Sequence, residues 1–416
     1  MLNPRRTIDD LKSLRELTSD TEGAQRVAFT DTWVKARKMY LQKLAELPVS
    51  VEQDAAGNLW ATLPGESSEE LWIGSHLDSV PAGGWLDGCL GVLAGLEVLR
   101  NIAESGKKPP LTLRLVDWAD EEGARFGRSL FGSSALSGHF DPAALGELTD
   151  AQGIRLKDAV KIYGIDLDLA SSEVPKRKKA KAYLELHIEQ GPVLESLGKP
   201  MGVVLGTKGV ERHTIRFFGQ TAHSGSTPMH HRRDALSAAA RLTLAIKDIA
   251  RKHPDAVGTV GRVTTRPGIV TAVVGECEMT LDQRDLDPLV LDAMLREAKE
   301  ASEHFAKEEN VRVEWEKLWS IEPIPFDDAL IHLAEEAVTD VCGTSIRLPS
   351  GPLHDAAEVA RAGIPTVMLF VQSLRGISHH ASEDTQEAHL EAAVKVLDTL
   401  TAKALAWFSS TETNRA

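Results

Sequence analysis

The chain has 416 residues, 42% hydrophobic and 26% charged, the balance of a soluble globular protein and a length that predicts two domains. Its formal charge of −14 argues against a nucleic-acid partner, and no apolar run is long enough to span a bilayer. Cysteines 89, 277 and 342 are few, widely spaced and odd in number, which excludes a disulfide framework; with no apolar signal segment in MLNPRRTIDDLKSL, the expectation is a cytoplasmic protein.

Residues 7 to 46 place Ile8, Leu11, Leu14 and Leu17, then Val34, Met39, Leu41 and Leu44, at helix-like spacing, and Val49 to Leu63 reads as a hairpin about Asp54-Ala55-Ala56-Gly57-Asn58. Leu71-Trp72-Ile73 is a short apolar run that predicts a buried strand. It leads into a glycine-rich loop carrying His76, Asp78 and Asp87, and Leu90 to Ile102 then recur near helical spacing until Gly106. Such a loop leaves the C-terminal end of a strand, where open α/β sheets place their sites. Leu111 to Trp118 predicts the next strand, ending in Asp120-Glu121-Glu122-Gly123, and a helix is expected from Phe131. The basic stretch EVPKRKKAK (173–181) reads as a solvated loop, and Lys181 to His187 alternates as a strand that runs into Ile188-Glu189-Gln190-Gly191-Pro192.

Further on the pattern changes. His213 to Phe218 reads as a strand, Asp234 to Arg251 as a helix, Val257 to Thr264 and Cys277 to Gln283 as strands, Pro288 to Lys307 as a helix and Val311 to Trp315 as a strand. The order β-α-β-β-α-β is that of a ferredoxin-like α+β domain. The predicted organisation is an α/β domain in two parts, 1–206 and 323–416, interrupted by this insert at 207–322. The second part is expected to hold a helix from Phe326 to Val341, a strand from Thr366 to Val371 leading to Gly376-Ile377-Ser378-His379-His380, and a closing helix from Gln386 to Trp407.

Four predicted strand ends thus present metal-capable groups: His76 with Asp87, Glu121 with Glu122, His187, and His379 with His380. Imidazole and carboxylate without cysteine suit Zn²⁺, Mn²⁺ or Co²⁺ in a catalytic site, and of two adjacent glutamates one can bind metal while the other serves as general base. Singly, each has a plainer reading: a solvated helix start for Glu121-Glu122, a core histidine for His187, a surface loop for His379-His380. Together, at four strand ends of one domain, they point to a metal site.

The stretches GSHLDSVPAGGWLDGCLGV, DWADEEGARFGRSLFGSSALSG, LELHIEQGPVLE, GQTAHSGSTPMHHRRDAL, LDQRDLD and GISHHASEDT span nearly the whole chain. In that order they resemble the amidase–hydantoinase–carbamoylase branch of the di-metal aminoacylase and carboxypeptidase superfamily. The resemblance implies a di-metal exopeptidase-like catalytic domain whose insert is a lid and dimerisation domain. It also implies two divalent ions per subunit, zinc foremost with manganese or cobalt as alternatives: His76 and His187 on one, Glu122 and His379 on the other, and Asp87 between them. Glu121 is then the general base, Asp78 orients His76, and His223 stabilises the oxyanion. Gln190 contacts the carbamoyl or amide group, and Arg284 pairs with a substrate carboxylate, although a strand-end pairing with Asp282 or Asp285 explains that arginine equally.

The activity implied is hydrolysis of a linear C–N bond in a small carboxylate-bearing molecule, an N-carbamoyl-L-amino acid first, by a homodimer. Allantoate, another ureido acid or an N-acyl or aryl amide is the alternative, since Val210, Thr271 and Leu353 depart from the branch's pattern around the substrate. A catalytically silent dimeric binding protein is the reading from a different class, and the complete set of ligand positions speaks against it.

Overall fold

A computed structural model describes residues 1–413, leaving aside the side chains of Glu173, Lys176 and 411–413. It resolves into two compact units, Met1–Leu205 with Phe326–Ala416 and Gly206–Pro325.

The larger unit is built on a mixed sheet. Its centre is four parallel strands in the spatial order Leu111–Trp118, Ser67–His76, Ala180–Ile188, Thr366–Val371. Nearly every residue of these strands is buried, including those of Ala180–Ile188, whose sequence reads as alternating. One side is extended by the antiparallel hairpin Ser50–Gln53 and Leu59–Leu63, the other by antiparallel Met201–Thr207 paired in turn with Arg347–Ser350. The hairpin turn is held by Asp54, whose Oδ1 accepts the N–H groups of Ala56 (3.0 Å) and Asn58 (2.9 Å).

Helices Pro4–Thr18, Cys89–Glu104, Asp328–Cys342 and Glu387–Thr413 pack on one another against this sheet, while Asp355–Arg361 packs with Phe131–Ser137. Between 138 and 179 the chain forms short helical turns around a separate small core that includes Phe29, Trp33, Phe131 and Phe140, a region where the spacing of apolar residues gives no sustained period. The basic stretch 173–181 enters this region as 3₁₀ turns over Ser171–Lys179 before the next strand begins.

In the sheet, Trp60 meets Trp72 and Trp118 edge to face at 4.9 and 5.2 Å, and Trp118 Nε1 donates to Tyr183 Oη at 2.9 Å. These rings tie four neighbouring strands together where the parallel centre meets the hairpin.

The second unit carries a sheet with the strands Gly209–Phe218 and Glu276–Asp285 at its centre, Arg312–Ile321 at one edge, and Val257–Thr259 with Val263–Arg266 at the other, every pair antiparallel. The helices Ala235–Ala250 and Pro288–Glu308 pack on each other and on the sheet over Ile215, Phe217, Cys277, Met279 and Leu281. The single strand expected over 257–264 is two short ones, because residues 260–262 leave the ladder between Thr259 and Val263. A separate two-residue ribbon pairs Ala222–His223 with Ala272–Val273.

Among the described residues no helix is long and apolar enough to cross a membrane. Replacing Trp72 with alanine removes the ring that bridges Trp60 to the core, and a loss of about 3–5 kcal/mol is expected. A lowered urea midpoint, followed by the tryptophan fluorescence of the larger unit, measures it; an unchanged midpoint would show that the cluster does not hold the sheet.

Candidate metal centre

Every candidate ligand of the larger unit lies at or just beyond the C-terminal end of a central parallel strand. His76 closes Ser67–His76, Glu121 and Glu122 follow Leu111–Trp118, His187 lies near the end of Ala180–Ile188, and His379 follows Thr366–Val371. The loops bend sharply to bring them inward. Asp120, Gln190 and His379 have φ of 54°, 57° and 56°, a left-handed backbone unusual for residues with side chains and characteristic of functional loops. Gly88, with φ of 65°, lies so close to the His76 ring that a Cβ there would overlap it.

Asp87 is the meeting point. Its Oδ1 lies 3.1 Å from His187 Nε2 and 3.8 Å from His76 Nε2, while its Oδ2 lies 3.4 Å from His379 Nε2, itself 3.3 Å from Glu122 Oε2. Two groups of donor atoms result, His76–Asp87–His187 and Asp87–Glu122–His379, each drawn together tightly enough to surround one cation and both containing Asp87. Glu121 belongs to neither; its Oε2 stands 3.7 Å from His76 Nε2. Of the consecutive histidines only His379 enters the cluster, for His380 Nδ1 pairs with Ser382.

The donor chemistry fits a cation. His76 Nε2, His187 Nε2 and Glu122 Oε1 are buried and make no hydrogen bond, an expensive arrangement unless something positive sits among them. The other ring nitrogens are already committed to carbonyl oxygens, His187 Nδ1 facing that of Ile188 at 2.9 Å and His76 Nδ1 that of Asp78 at 3.2 Å. In its neutral form each ring then carries its proton on Nδ1 and turns the Nε2 lone pair inward.

Asp78 meets His76 at its backbone carbonyl rather than at its carboxylate. Its carboxylate is 3.6 Å from His76 Nδ1 and instead accepts the backbone N–H groups of Glu121 (3.2 Å) and Glu122 (3.1 Å). It orients His76 through its carbonyl and pins the glutamate pair through its side chain.

Electrostatics point the same way. Burial pushes the Glu121 carboxyl well above the usual range, and Glu122, Asp355, Asp78 and Asp87 add repulsion; burial and Asp87 do the same to Glu122. Burial opposes charge on Asp87 as well, yet the neighbouring imidazoles of His187 and His379 hold it well below the ordinary range. Burial likewise lowers His187, but Asp87 outweighs it and raises the imidazole to about 9. The centre is thus a concentration of acidic groups sharing too few protons, the environment a divalent ion relieves.

Several residues of the site had no role read from the sequence, although Ser378 and Glu383 stand in the stretch GISHHASEDT. Glu383 accepts the N–H groups of Leu86 and Asp87, both at 3.0 Å, and Ser378 Oγ lies 2.9 Å from Asp87 Oδ2 and 3.0 Å from Glu383 Oε2. His354 is buried with its ring 4.4 Å from that of His187 and its Nε2 without a hydrogen bond. With Glu185 and His187 it forms a third potential donor group. Glu185, however, already accepts from Ser75, Tyr183 and the Ala356 N–H, and these bonds occupy the oxygens that a cation would need.

Gln190 Nε2 donates to Asp87 Oδ2 at 2.8 Å, while its Oε1 is buried without a partner, so the side chain borders the cluster.

The remaining expected residues lie on the second unit. His223, exposed on the two-residue ribbon, accepts the Gly225 N–H at Nδ1 (3.1 Å), which leaves its Nε2–H as a donor. The Arg284 guanidinium is held by Asp282 through Nε (2.8 Å) and Nη2 (3.2 Å), the strand-end pairing that the sequence left open, and Arg212 Nε donates to the same carboxylate at 2.6 Å. Val210 is buried opposite Arg284, Thr271 is exposed beside the ribbon, and Leu353 in the larger unit is half-buried.

Residues 72–403 match Peptidase family M20/M25/M40. The chain belongs to this family. It is 38% identical to the N-carbamoyl-L-amino acid amidohydrolase of Geobacillus stearothermophilus over 90% of this chain and 92% of that one. Identity to the allantoate amidohydrolase of Escherichia coli (strain K12) is 32%, over 92% and 93%. The crystal structure of an amidase of the hydantoinase/carbamoylase family from Burkholderia multivorans matches with a TM-score of 0.88 at 30% identity, covering 97% of this chain and 98% of that one. The branch that the sequence motifs resemble is therefore the one in which the chain's relatives and structural neighbours fall.

A pH dependence follows for the ion-free protein. His187 has a folded pKa raised from 6.5 to about 9, so the stability its proton contributes is fully present below 6.5 and is lost as pH rises through about 9. An ion held by His187 would displace that proton. Calorimetric titration with Zn²⁺ in buffers of different ionisation enthalpy is expected to show proton release and an affinity that climbs from pH 6.5 to about 9. A flat profile without proton release would contradict this account of the Asp87–His187 pair.

Proposed function

We propose that the protein is a metal-dependent amidohydrolase that cleaves the linear C–N bond of an N-carbamoyl-L-amino acid. One observation carries the reading: Asp87 is common to both donor groups while Glu121, beside them, is in neither. In a pair of cation sites joined by a carboxylate, that leaves one acidic group adjacent to the reacting water and uncommitted to coordination.

His76 and His187 would hold one divalent ion, Glu122 and His379 a second, with Asp87 shared between them; zinc, manganese or cobalt suits this nitrogen and oxygen donor set. Ions bound there supply Lewis-acid charge for the carbonyl oxygen and make water more acidic. The Glu121 carboxylate takes a proton from the attacking water as its oxygen bonds to the carbamoyl carbon. His223 donates its Nε2–H to the oxygen on which charge develops. The bond from that carbon to the amino-acid nitrogen then breaks, and the nitrogen takes the proton held on Glu121. The products are the free amino acid and carbamic acid, which falls apart to ammonia and carbon dioxide, so that one water is consumed overall.

Gln190 contacts the carbamoyl group, and Arg284 receives the substrate carboxylate in the bidentate manner suited to a guanidinium. The second unit acts as lid and dimerisation surface, and the protein works as a homodimer in the cytoplasm, a setting consistent with its free cysteines. The greater identity to the carbamoyl-amino-acid hydrolase favours that substrate class. An allantoate-like ureido acid is the second reading, supported by the relative active on allantoate and by the departures at Val210, Thr271 and Leu353.

Glu121→Gln is expected to lower kcat by about 10²–10⁴-fold, the range of general acid–base catalysis, with metal content unchanged by elemental analysis. Retention of full activity would remove Glu121 from its role. A panel of N-carbamoyl-L-amino acids, allantoate and N-acyl amino acids, assayed with Zn²⁺, Mn²⁺ or Co²⁺, is expected to give its highest kcat/KM on an N-carbamoyl-L-amino acid. A preference for allantoate would transfer the assignment to the second reading.

A further inference from the structure

The loop that carries Asp87 and the loop that carries His379 come from opposite ends of the larger unit's sequence, and one side chain joins them. Glu383 Oε1 accepts two consecutive backbone N–H groups, Leu86 and Asp87, each at 3.0 Å. Its Oε2 lies 3.0 Å from Ser378 Oγ, and that same hydroxyl lies 2.9 Å from Asp87 Oδ2. The carboxylate is buried, and it is seated against Gly84 so closely that a Cβ at that position would overlap it. The backbone of Asp87, the side chain of Asp87 and the residue preceding His379 are thus all fixed from one carboxylate.

We infer that Glu383 is a positioning residue for the second cation site, the one formed by Asp87, Glu122 and His379, and that Ser378 is the link through which it acts. The inference rests on the metal-centre reading above. It assigns Glu383 no contact with substrate or cation. Without Glu383, two buried N–H groups lose their acceptor and Asp87 is no longer held at its backbone, so Oδ2 and His379 Nε2 lose their common aim. The first site depends less on it, because His76 and His187 are each fixed by carbonyl oxygens of their own strand ends. Glutamine preserves the arrangement: its Oε1 accepts the same two N–H groups, and its Nε2–H donates to Ser378 Oγ, whose own proton is then directed to Asp87 Oδ2.

The test is titration of the chelator-treated full-length protein with Co²⁺, following the visible absorption of the bound ion in the wild type, Glu383→Ala, Glu383→Gln and Ser378→Ala. The wild type is expected to take up two ions. Glu383→Ala should bind the first ion within about threefold of wild type and the second about 10–100-fold more weakly, the range typical of residues that orient metal ligands. Glu383→Gln should restore two-ion binding to within about threefold. Ser378→Ala, which leaves Glu383 and its backbone partners in place, should also weaken the second ion selectively, and it decides the matter if Glu383→Ala does not fold.

Equal weakening of both ions, an unaffected second ion in Glu383→Ala or Ser378→Ala, or a Glu383→Gln variant no better than Glu383→Ala would overturn the inference while leaving the metal centre intact. A wild type that binds no Co²⁺ would overturn both.

Discussion

A carboxylate withdrawn from water stays charged only where its surroundings replace the solvation it has lost, and Asp87 is the place where this protein meets that requirement. Its two oxygens are addressed from different directions, Oδ1 by His187 and His76 and Oδ2 by His379, Gln190 and Ser378. Its backbone N–H is taken by Glu383. The groups that converge there come from separate strand-end loops, so the position of one side chain is over-determined by the fold. The left-handed backbone at Gln190 and His379 belongs to the same constraint, because each bend turns a loop back toward Asp87.

The sheet explains why such convergence is available. The strands Ser67–His76, Leu111–Trp118, Ala180–Ile188 and Thr366–Val371 run parallel and adjacent, so their C-terminal ends open side by side. Ser67–His76 has the following central strand on one side and Ala180–Ile188 on the other, the kind of reversal in strand order beside which open α/β sheets bind ligands. Loops leaving such ends need only a few residues to meet. Glu185, buried beneath His187 and tied to Ser75, Tyr183 and Ala356, fixes the floor on which those loops stand.

Legibility in the sequence followed the strength of local periodicity and the chemistry of side chains. Central strands were readable where burial on both faces leaves apolar runs such as Leu71-Trp72-Ile73 and Thr366 to Val371, and at Lys181 to His187 through alternation, with the ligand types at or after their ends. The small core around Phe29 and Phe131 was not, because its helical turns are too short to show a period. Nor was the division of the strand at 260–262, which depends on pairing partners far along the chain. Among functional residues, His354 and Glu383 were hidden for a related reason. Their importance lies in what they touch across 100 or more residues, and a lone histidine or glutamate carries no sign of that. Asp78 shows the converse: its place beside His76 was evident, but the bond from its carboxylate to the glutamate loop was not.

Chemistry and selectivity are therefore constrained to different degrees. A cation site tolerates little change, since each donor atom is placed by a neighbour that is itself placed by the sheet. Under the proposed function, recognition of the substrate's far end is less restricted. Arg284 illustrates this, for its guanidinium is already held by Asp282, a carboxylate that Arg212 also engages. On that proposal, a substrate carboxylate arriving there would share the arginine with Asp282 or displace it, and the energetic difference would depend on neighbours such as Val210, which sits opposite Arg284 in the same ladder. Such a site can be retuned by changing the residues around the arginine without touching any metal ligand. Such a separation suits a family in which hydrolases named for carbamoyl amino acids and for allantoate are both related to one chain over nine-tenths of its length. Under the proposed function, the departures at Val210, Thr271 and Leu353 would bear on which molecule is bound, while the reaction itself would be decided at Asp87 and Glu121.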